Sequence, residues 1–374
     1  MKTNTKTNKF YVDKIKAGKY PIYLLLGFFV LAVIFSWWFI LHSIKLTLAS
    51  TDLYINHNSI SVNRTNDKIN TNIRKIDGKI MEKQDQASYW PYAVMIENLL
   101  SVRPQAGLSQ ASVVYEALVE GGATRFMAVF DPSEIVPEIS PVRSVRPYYI
   151  EFSSEYNALL AHCGGSPLAL QIIRDNQDIH DLNQISRDSK YFLRDKSLSA
   201  PHNLLTSSEK LNYALRDKGL LEQPAQFQSW QFKDETTLAE RGEDGKTLTF
   251  NFSYGLTYKV SYQYNKEKNV YLRFNADQPH KDRNTDQQIE VKNVVVQLVK
   301  EPVLSGGQGR LDIQVEGEGK AWILRDGQII AGTWKKASRT DRTLFYDKDG
   351  QEVELNRGNT WVHVLPETQE VVYD

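Results

Sequence analysis

The sequence predicts an α+β fold: an N-terminal transmembrane helix, a mixed α+β domain, then a β-rich domain. Three observations predict it. Residues 20–44 (YPIYLLLGFFVLAVIFSWWFILHSI) are almost wholly apolar. Strand and helix signals mingle without regular alternation over residues 89–224, which points to α+β rather than a doubly wound sheet. After about Pro224 the helix signals nearly vanish while short β-branched and aromatic runs continue. The expected layout is a cytoplasmic tail at 1–19, a span at 20–44, a polar tether at 45–88, an α+β domain at 89–224 and a β-rich domain at 225–374.

The span comes first. No charged side chain occurs from Tyr20 to Leu41, and at about 1.5 Å per residue that length covers the roughly 30 Å hydrocarbon core of a bilayer. Tyr20, Tyr23, Trp37 and Trp38 lie toward its ends, where amphipathic rings favour the interface. Lys2, Lys6, Lys9, Lys14, Lys16 and Lys19 precede it against the single acid Asp13, an asymmetry that holds the N-terminus in the cytoplasm and the rest outside. A cleaved signal peptide is the rival reading, but its apolar region usually runs only about 7 to 15 residues. No cysteine stands after the run to carry a lipid.

Residues 51–88 are dense in Asn, Thr, Ser, Asp and Lys and read as a tether, with a short membrane-proximal helix as the alternative. Over the whole sequence, 45 basic residues balance 45 acidic ones, so the chain lacks the positive field that nucleic acid demands. The basic cluster sits in the expected cytoplasmic tail, where anionic lipid headgroups are the simpler partner. The only cysteine, Cys163, has no internal partner, so stability outside the cell must come from a packed core. It ends an apolar strand signal and is expected to be buried and inert.

In the first globular region, residues 92–97, 113–119, 125–131 and 157–163 read as buried strands, with Gly121 and Gly122 punctuating a hairpin. Residues 146–156, 166–176 and 207–218 carry helix signals. The last has Thr206 and Glu209 spaced as a capping box and Gly219 as a stop. In the second region nine strands are expected, at 248–252, 257–264, 270–274, 290–299, 310–315, 321–325, 328–333, 343–347 and 360–365. Asp326-Gly327 marks a two-residue hairpin and Asp349-Gly350 another turn. No fixed-period repeat points to a propeller or solenoid.

Ordered motifs run from about Trp90 to Pro366. They are AVMIEN (93–98), RPQAGLSQASVVYEALVEGGATRFMAVF (103–130), SPVRSVRPYYIE (140–151), HCGGSP (162–167) and APHNL (200–204), then YLRF (271–274), PHKD (279–282), KNVVV (292–296), GTWKK (332–336) and GNTWVHV (358–364). Through them the chain resembles the YerB-like family of membrane- or lipid-anchored bacterial envelope proteins. The resemblance implies an extracytoplasmic location and carries no reaction with it. One departure is that the family is often lipid-anchored through a cysteine, whereas here an apolar run takes that place.

Several residues could carry function. In Ser140-Pro141-Val142-Arg143-Ser144-Val145-Arg146-Pro147 two prolines restrict a loop bearing Arg143 and Arg146, whose planar forks suit carboxylate or phosphate. Ion pairs with Glu97, Glu116, Glu120 or Glu151 are the structural alternative. His162, Gly164 and Gly165 precede Ser166-Pro167 at a helix start, a natural anion site. His202 with Asn203, and His280 with Asp282, complete the candidate ligand-binding set. Hydrogen-bonded structural histidines are the alternative, and Ser166 reads as an N-cap before it reads as a nucleophile. No HExxH, paired CxxC or GxSxG motif occurs, so no metal, cofactor or catalytic residue is expected. Trp322, Trp334 and Trp361 either form a sugar-stacking face or fill the core.

The expected function is binding or scaffolding in the bacterial cell envelope. The expected partners are the lipid bilayer through residues 20–44 and a cell-wall polymer, such as peptidoglycan or another anionic polymer, or envelope proteins. The alternative is an envelope hydrolase or transferase using His162, His202 or His280 with Arg143 and Arg146. Convergence of those side chains in an open cleft would favour the enzyme; dispersal into ion pairs would favour the binder.

Overall fold

The computed structural model describes residues 73–81, 89–221, 223–224, 226–304 and 307–374. In chain order the main elements begin with β1 (Tyr92–Glu97), β2 (Val113–Leu118), β3 (Thr124–Phe130), α1 (Pro147–Ser154), β4 (Leu159–His162), α2 (Pro167–Asp175), β5 (Asp181–Asn183) and α3 (Ser208–Asp217). They continue with β6 (Thr247–Asn251), β7 (Lys259–Asn265), β8 (Val270–Asn275), β9 (Gln278–Pro279), β10 (Glu290–Val291) and β11 (Asn293–Val299). Last come β12 (Gly317–Arg325), β13 (Gln328–Lys336), β14 (Leu344–Asp347), β15 (Thr360–Pro366) and β16 (Val371–Tyr373).

Ten strands form one mixed sheet in the order β14-β13-β12-β11-β15-β2-β3-β1-β4-β5. The seam is β15. It pairs in parallel with β2 on one side (Val113 to Ala117 against Thr360 to Val364) and in parallel with β11 on the other. A second, six-stranded sheet runs β9-β8-β7-β6-β16, with β10 also on β8, and three two-stranded ribbons complete the described strands.

Every residue of β1, β2, β3 and β15 is buried, because the sheet is covered on both faces. On one face α1 packs down, its Phe152 stacking on Tyr115 at 4.4 Å between ring centres. On the other, the smaller sheet brings Phe250 to 4.8 Å from the ring of His363, and Arg273 to 4.6 Å from that of Trp361. Strands wetted on neither face read as continuous apolar runs, as YAVMIE and NVVVQLV do.

The fold class is therefore corrected. The described protein is β-rich, with three α-helices of eight to ten residues, and is not an α+β fold with an N-terminal transmembrane helix. The expected span at 20–44 lies outside the described residues, as does most of the expected tether; among the described residues no helix is long and apolar enough to cross a membrane. The three helix signals do form helices, but short ones that cover a sheet supplied by both halves of the chain. Residues 73–80, inside the expected tether, pack on the fold. Ile76 is buried, and the buried guanidinium of Arg74 lies 2.5 Å from Asp77 and 2.9 Å from Glu134.

Local signals fare well where backbone chemistry is decisive. Asp326 and Gly327 both have positive φ in the turn joining β12 to β13, and a Cβ on Gly327 would come within 2.2 Å of the Tyr264 ring. The α3 cap is one residue later than expected. Ser207 Oγ accepts from the Lys210 amide, while Thr206 Oγ1 donates to the Tyr191 carbonyl. Trp334 and Trp361 fill the core, and Trp322 is half-buried against it.

Candidate functional site

The segment carrying Arg143 and Arg146 runs alongside the end of β1. Glu97 N–H donates to the Pro141 carbonyl and Arg143 N–H to the Met95 carbonyl, both at 2.9 Å. Glu97, the buried last residue of β1, then gathers two candidates. Arg143 Nε lies 3.2 Å from one carboxylate oxygen, and His202 Nδ1 lies 2.7 Å from the other. Arg146 is engaged elsewhere. Its Nε and Nη2 donate to the two carboxylate oxygens of Glu120 at 2.6 and 2.7 Å, a bidentate pair. Burial alone would push the Glu120 carboxyl up, but the Arg146 bonds outweigh it and hold the group below its ordinary range.

The same segment lies against the Gly164-Gly165 turn, so the sequence's two anion-binding candidates are neighbours. Val145 N–H donates to the Gly164 carbonyl at 3.0 Å, and Ser166 N–H to the Val145 carbonyl at 3.2 Å. The amides at this turn have protein partners: Gly164 N–H donates to Asn183 Oδ1, and Ser166 Oγ caps α2 through the Ala169 amide. His162 is buried with both ring nitrogens occupied, Nδ1 by the Gly164 carbonyl at 2.8 Å and Nε2 by Asp181 at 2.6 Å. Asn203 Nδ2 donates to the carbonyls of Asp195 and Leu198. Cys163 is half-buried, its Sγ 3.3 Å from Gln184 Oε1, and burial pushes its thiol pKa up.

His280 and Asp282 lie in the interior where the two halves of the chain meet. Asp282 accepts from the amides of Gly107, Ser109 and Asn284, tying the two regions together. His280 is held as neutral imidazole, chiefly by burial and then by the adjacent Arg273 and Arg103 charges. Its Nδ1 takes a bond from Arg273, and Nε2 donates to Gln105 Oε1 at 2.9 Å. Arg273 in turn meets Glu116 at 2.7 Å, both fully buried. Glu116 also accepts from Asn98 Nδ2 and Thr124 Oγ1, and His363 Nδ1 lies 3.2 Å from it. Burial would raise the Glu116 carboxyl; Arg273 and His363 overcome that and hold it down at about 2. Glu116 and Arg273 were unpaired in the sequence reading because 157 residues separate them.

Beside the Glu97 cluster opens a cleft of about 330 Å³, lined by Ser101, Val102, Arg103, Pro104, Pro141, Leu198, Ser199, His202 and Arg283. Arg103 is anchored by Asn98 and the Thr257 carbonyl, and Arg283 by Glu138 and Ser140. Both guanidiniums were missed in the sequence, which gives an isolated arginine in a turn no distinguishing signal. Of the candidates, His202 alone lines this cleft. Arg143 joins it through Glu97, while Arg146, His162 and His280 sit in separate networks.

Residues 78–221 match the family profile described as Protein of unknown function (DUF3048) N-terminal domain, and residues 248–362 match its C-terminal domain. The chain belongs to the YerB-like, DUF3048 family. Among the YerB-like proteins it is 29% identical over 301 residues to YerB of Bacillus subtilis (strain 168), a protein whose name carries a provisional assignment as a lipoprotein. That match covers 78% of this chain and 84% of the relative. A crystal structure of YerB protein from Bacillus subtilis superimposes with a TM-score of 0.70 at 26% identity, covering 80% of this chain and 99% of that one. The YerB-like architecture thus includes both matched regions, joined here through β15.

Proposed function

We propose that this chain is an extracytoplasmic protein of the bacterial envelope, attached to the membrane through its N-terminal apolar stretch, that binds or scaffolds an anionic wall polymer. The observation that carries the reading is the cleft in which Arg103, Arg283 and His202 present cationic or protonatable groups on a frame fixed by hydrogen-bonded partners. Groups already held in place lose little freedom when a ligand arrives. The lipoprotein designation of the Bacillus relative supports a membrane-attached location outside the cytoplasm. Full-length protein in nonionic detergent is expected to be retained on purified wall fragments. Arg283→Ala or His202→Ala should weaken retention roughly 10- to 150-fold, the loss of one charge-assisted contact. Retention equal to a denatured control, or unchanged in both variants, would refute the reading. Protease added to protoplasts should remove the folded part and spare an N-terminal tag.

One observation favours the hydrolase alternative. His202 is oriented through Nδ1 by a buried carboxylate at the wall of an open cleft, an arrangement a general base can use. Release of soluble fragments from wall material by wild type but not His202→Ala would establish it; no release would leave binding alone.

A further inference from the structure

Arg125 is the second residue of β3, on the face covered by α1 and directly across from Glu97 in the strand register. It is 7% exposed, yet among the described residues no carboxylate lies within ion-pairing distance of it. Its Nη1 donates to the carbonyl and hydroxyl oxygens of Ser144, both neutral; its Nε is buried without a partner, and Nη2 carries no hydrogen bond. The nearest acids are spent. Glu97 holds Arg143 and His202, and Glu120 holds Arg146 in a bidentate pair. Three guanidiniums and an imidazole therefore surround two carboxylates. Burial first, then the neighbouring Arg146 and Arg143 charges, lower the Arg125 pKa to about 10, against the opposing effect of the Tyr149 and Tyr148 hydroxyls.

The backbone adds to the imbalance. Helix α1 starts at Pro147 with Arg146 as its N-cap, and no side chain caps its first turn. The positive end of the helix thus adjoins the arginines with no side-chain acceptor on its first amides, Tyr149 N–H donating to the Arg146 carbonyl. A buried cation with no counter-ion is costly, and an anionic ligand beside it would lower that cost.

We propose that Arg125, with Arg146, Ser144 and the uncapped start of α1, forms an oxyanion site that takes one carboxylate or phosphate group. The site deepens the proposed binding function and rests on it only for the nature of the natural ligand. A planar fork with unsatisfied N–H groups matches either oxyanion.

The test is titration of the full-length protein with inorganic phosphate, and separately with acetate, at constant ionic strength, read by calorimetry and by the melting temperature. Wild type should bind at least one of them saturably. Tighter phosphate points to a phosphodiester polymer, tighter acetate to peptide carboxylates. Arg125→Met should weaken binding at least tenfold while leaving the anion-free melting temperature equal or higher, since it removes an uncompensated buried charge. A merely structural arginine would do the reverse. Should Arg125→Met fail to fold, Arg125→Lys keeps the charge, loses the fork, and should still weaken binding about tenfold. Absence of saturable binding in wild type, or unchanged affinity in Arg125→Lys and Arg125→Met, overturns the proposal. Wall-fragment retention measured alongside separates the two readings. Small-anion binding at Arg125 without retention sinks the wall-binding function and leaves this site. Retention with no small-anion binding does the opposite.

Discussion

Arg273→Met should be among the most damaging single substitutions in this chain. It leaves the Glu116 carboxylate fully buried, with Asn98, Thr124 and His363 around it but no cation at 2.7 Å. Removing one partner of a buried pair costs about 3 to 5 kcal/mol. For a unit of roughly 300 residues the unfolding entropy is about 0.6 kcal/mol per degree, so the melting temperature should fall by about 5 to 8 °C. The double variant Glu116→Gln/Arg273→Met should recover part of that loss, because no charge is then stranded. The acid limb gives an independent check. Glu116 is held at about 2 in the folded protein against an ordinary value of 4.5. Its contribution is thus fully present above pH 4.5 and is lost as pH falls toward 2, a shift equivalent to about 3 kcal/mol. In Arg273→Met the carboxyl can take up its proton at higher pH, so the penalty should be smaller at pH 4 than at pH 7. Urea unfolding of the four proteins of the cycle at both pH values measures all of this. A single-variant loss below about 1 kcal/mol, or strictly additive losses, would refute the reasoning.

Two further outcomes are expected. Glu151, raised to about 7 by burial and by its hydrogen-bonded neighbour Glu316, binds a proton in the folded state that the unfolded chain gives up. Stability should therefore decline as pH rises from about 4.5 to 7, and Glu151→Gln should flatten that slope in melting curves taken across the range. Residues 89–224 expressed alone should show no cooperative unfolding by circular dichroism, because β2 would lack its β15 partner, whereas the intact chain should unfold the described part in one transition.

Much of the local structure was legible. The Asp326-Gly327 hairpin, the three helices and most strands follow from turn chemistry and apolar runs that act over a few residues. The two-domain division rested on the disappearance of helix signals after Pro224, a compositional change that says nothing about which strands pair. The run TWVHVLP in fact carried a clue. A strand buried on both faces needs neighbours on both edges, and β15 finds one in each half of the chain. At the site, Glu120 stood among the named alternative partners for Arg146 because a carboxylate near an arginine loop is a local inference. The union of Glu97 with His202 spans 105 residues and had no local trace. Arg125 was invisible for a different reason: the acid opposite it, Glu97, is engaged by Arg143 and His202 instead, which only the fold reveals.

The position of β15 also bears on how the protein is made. Synthesis runs from the N-terminus, so β1 to β3 emerge long before residues 360–366, and β2 presents an open edge with unmatched amides and carbonyls until that strand has been made. A chain stalled or clipped short of that strand keeps an adhesive edge, and a chain that reaches it closes at once. Arrival of β15 and closure of the ten-stranded sheet are thereby the same event, which gives any quality-control protease a simple criterion for which molecules to remove.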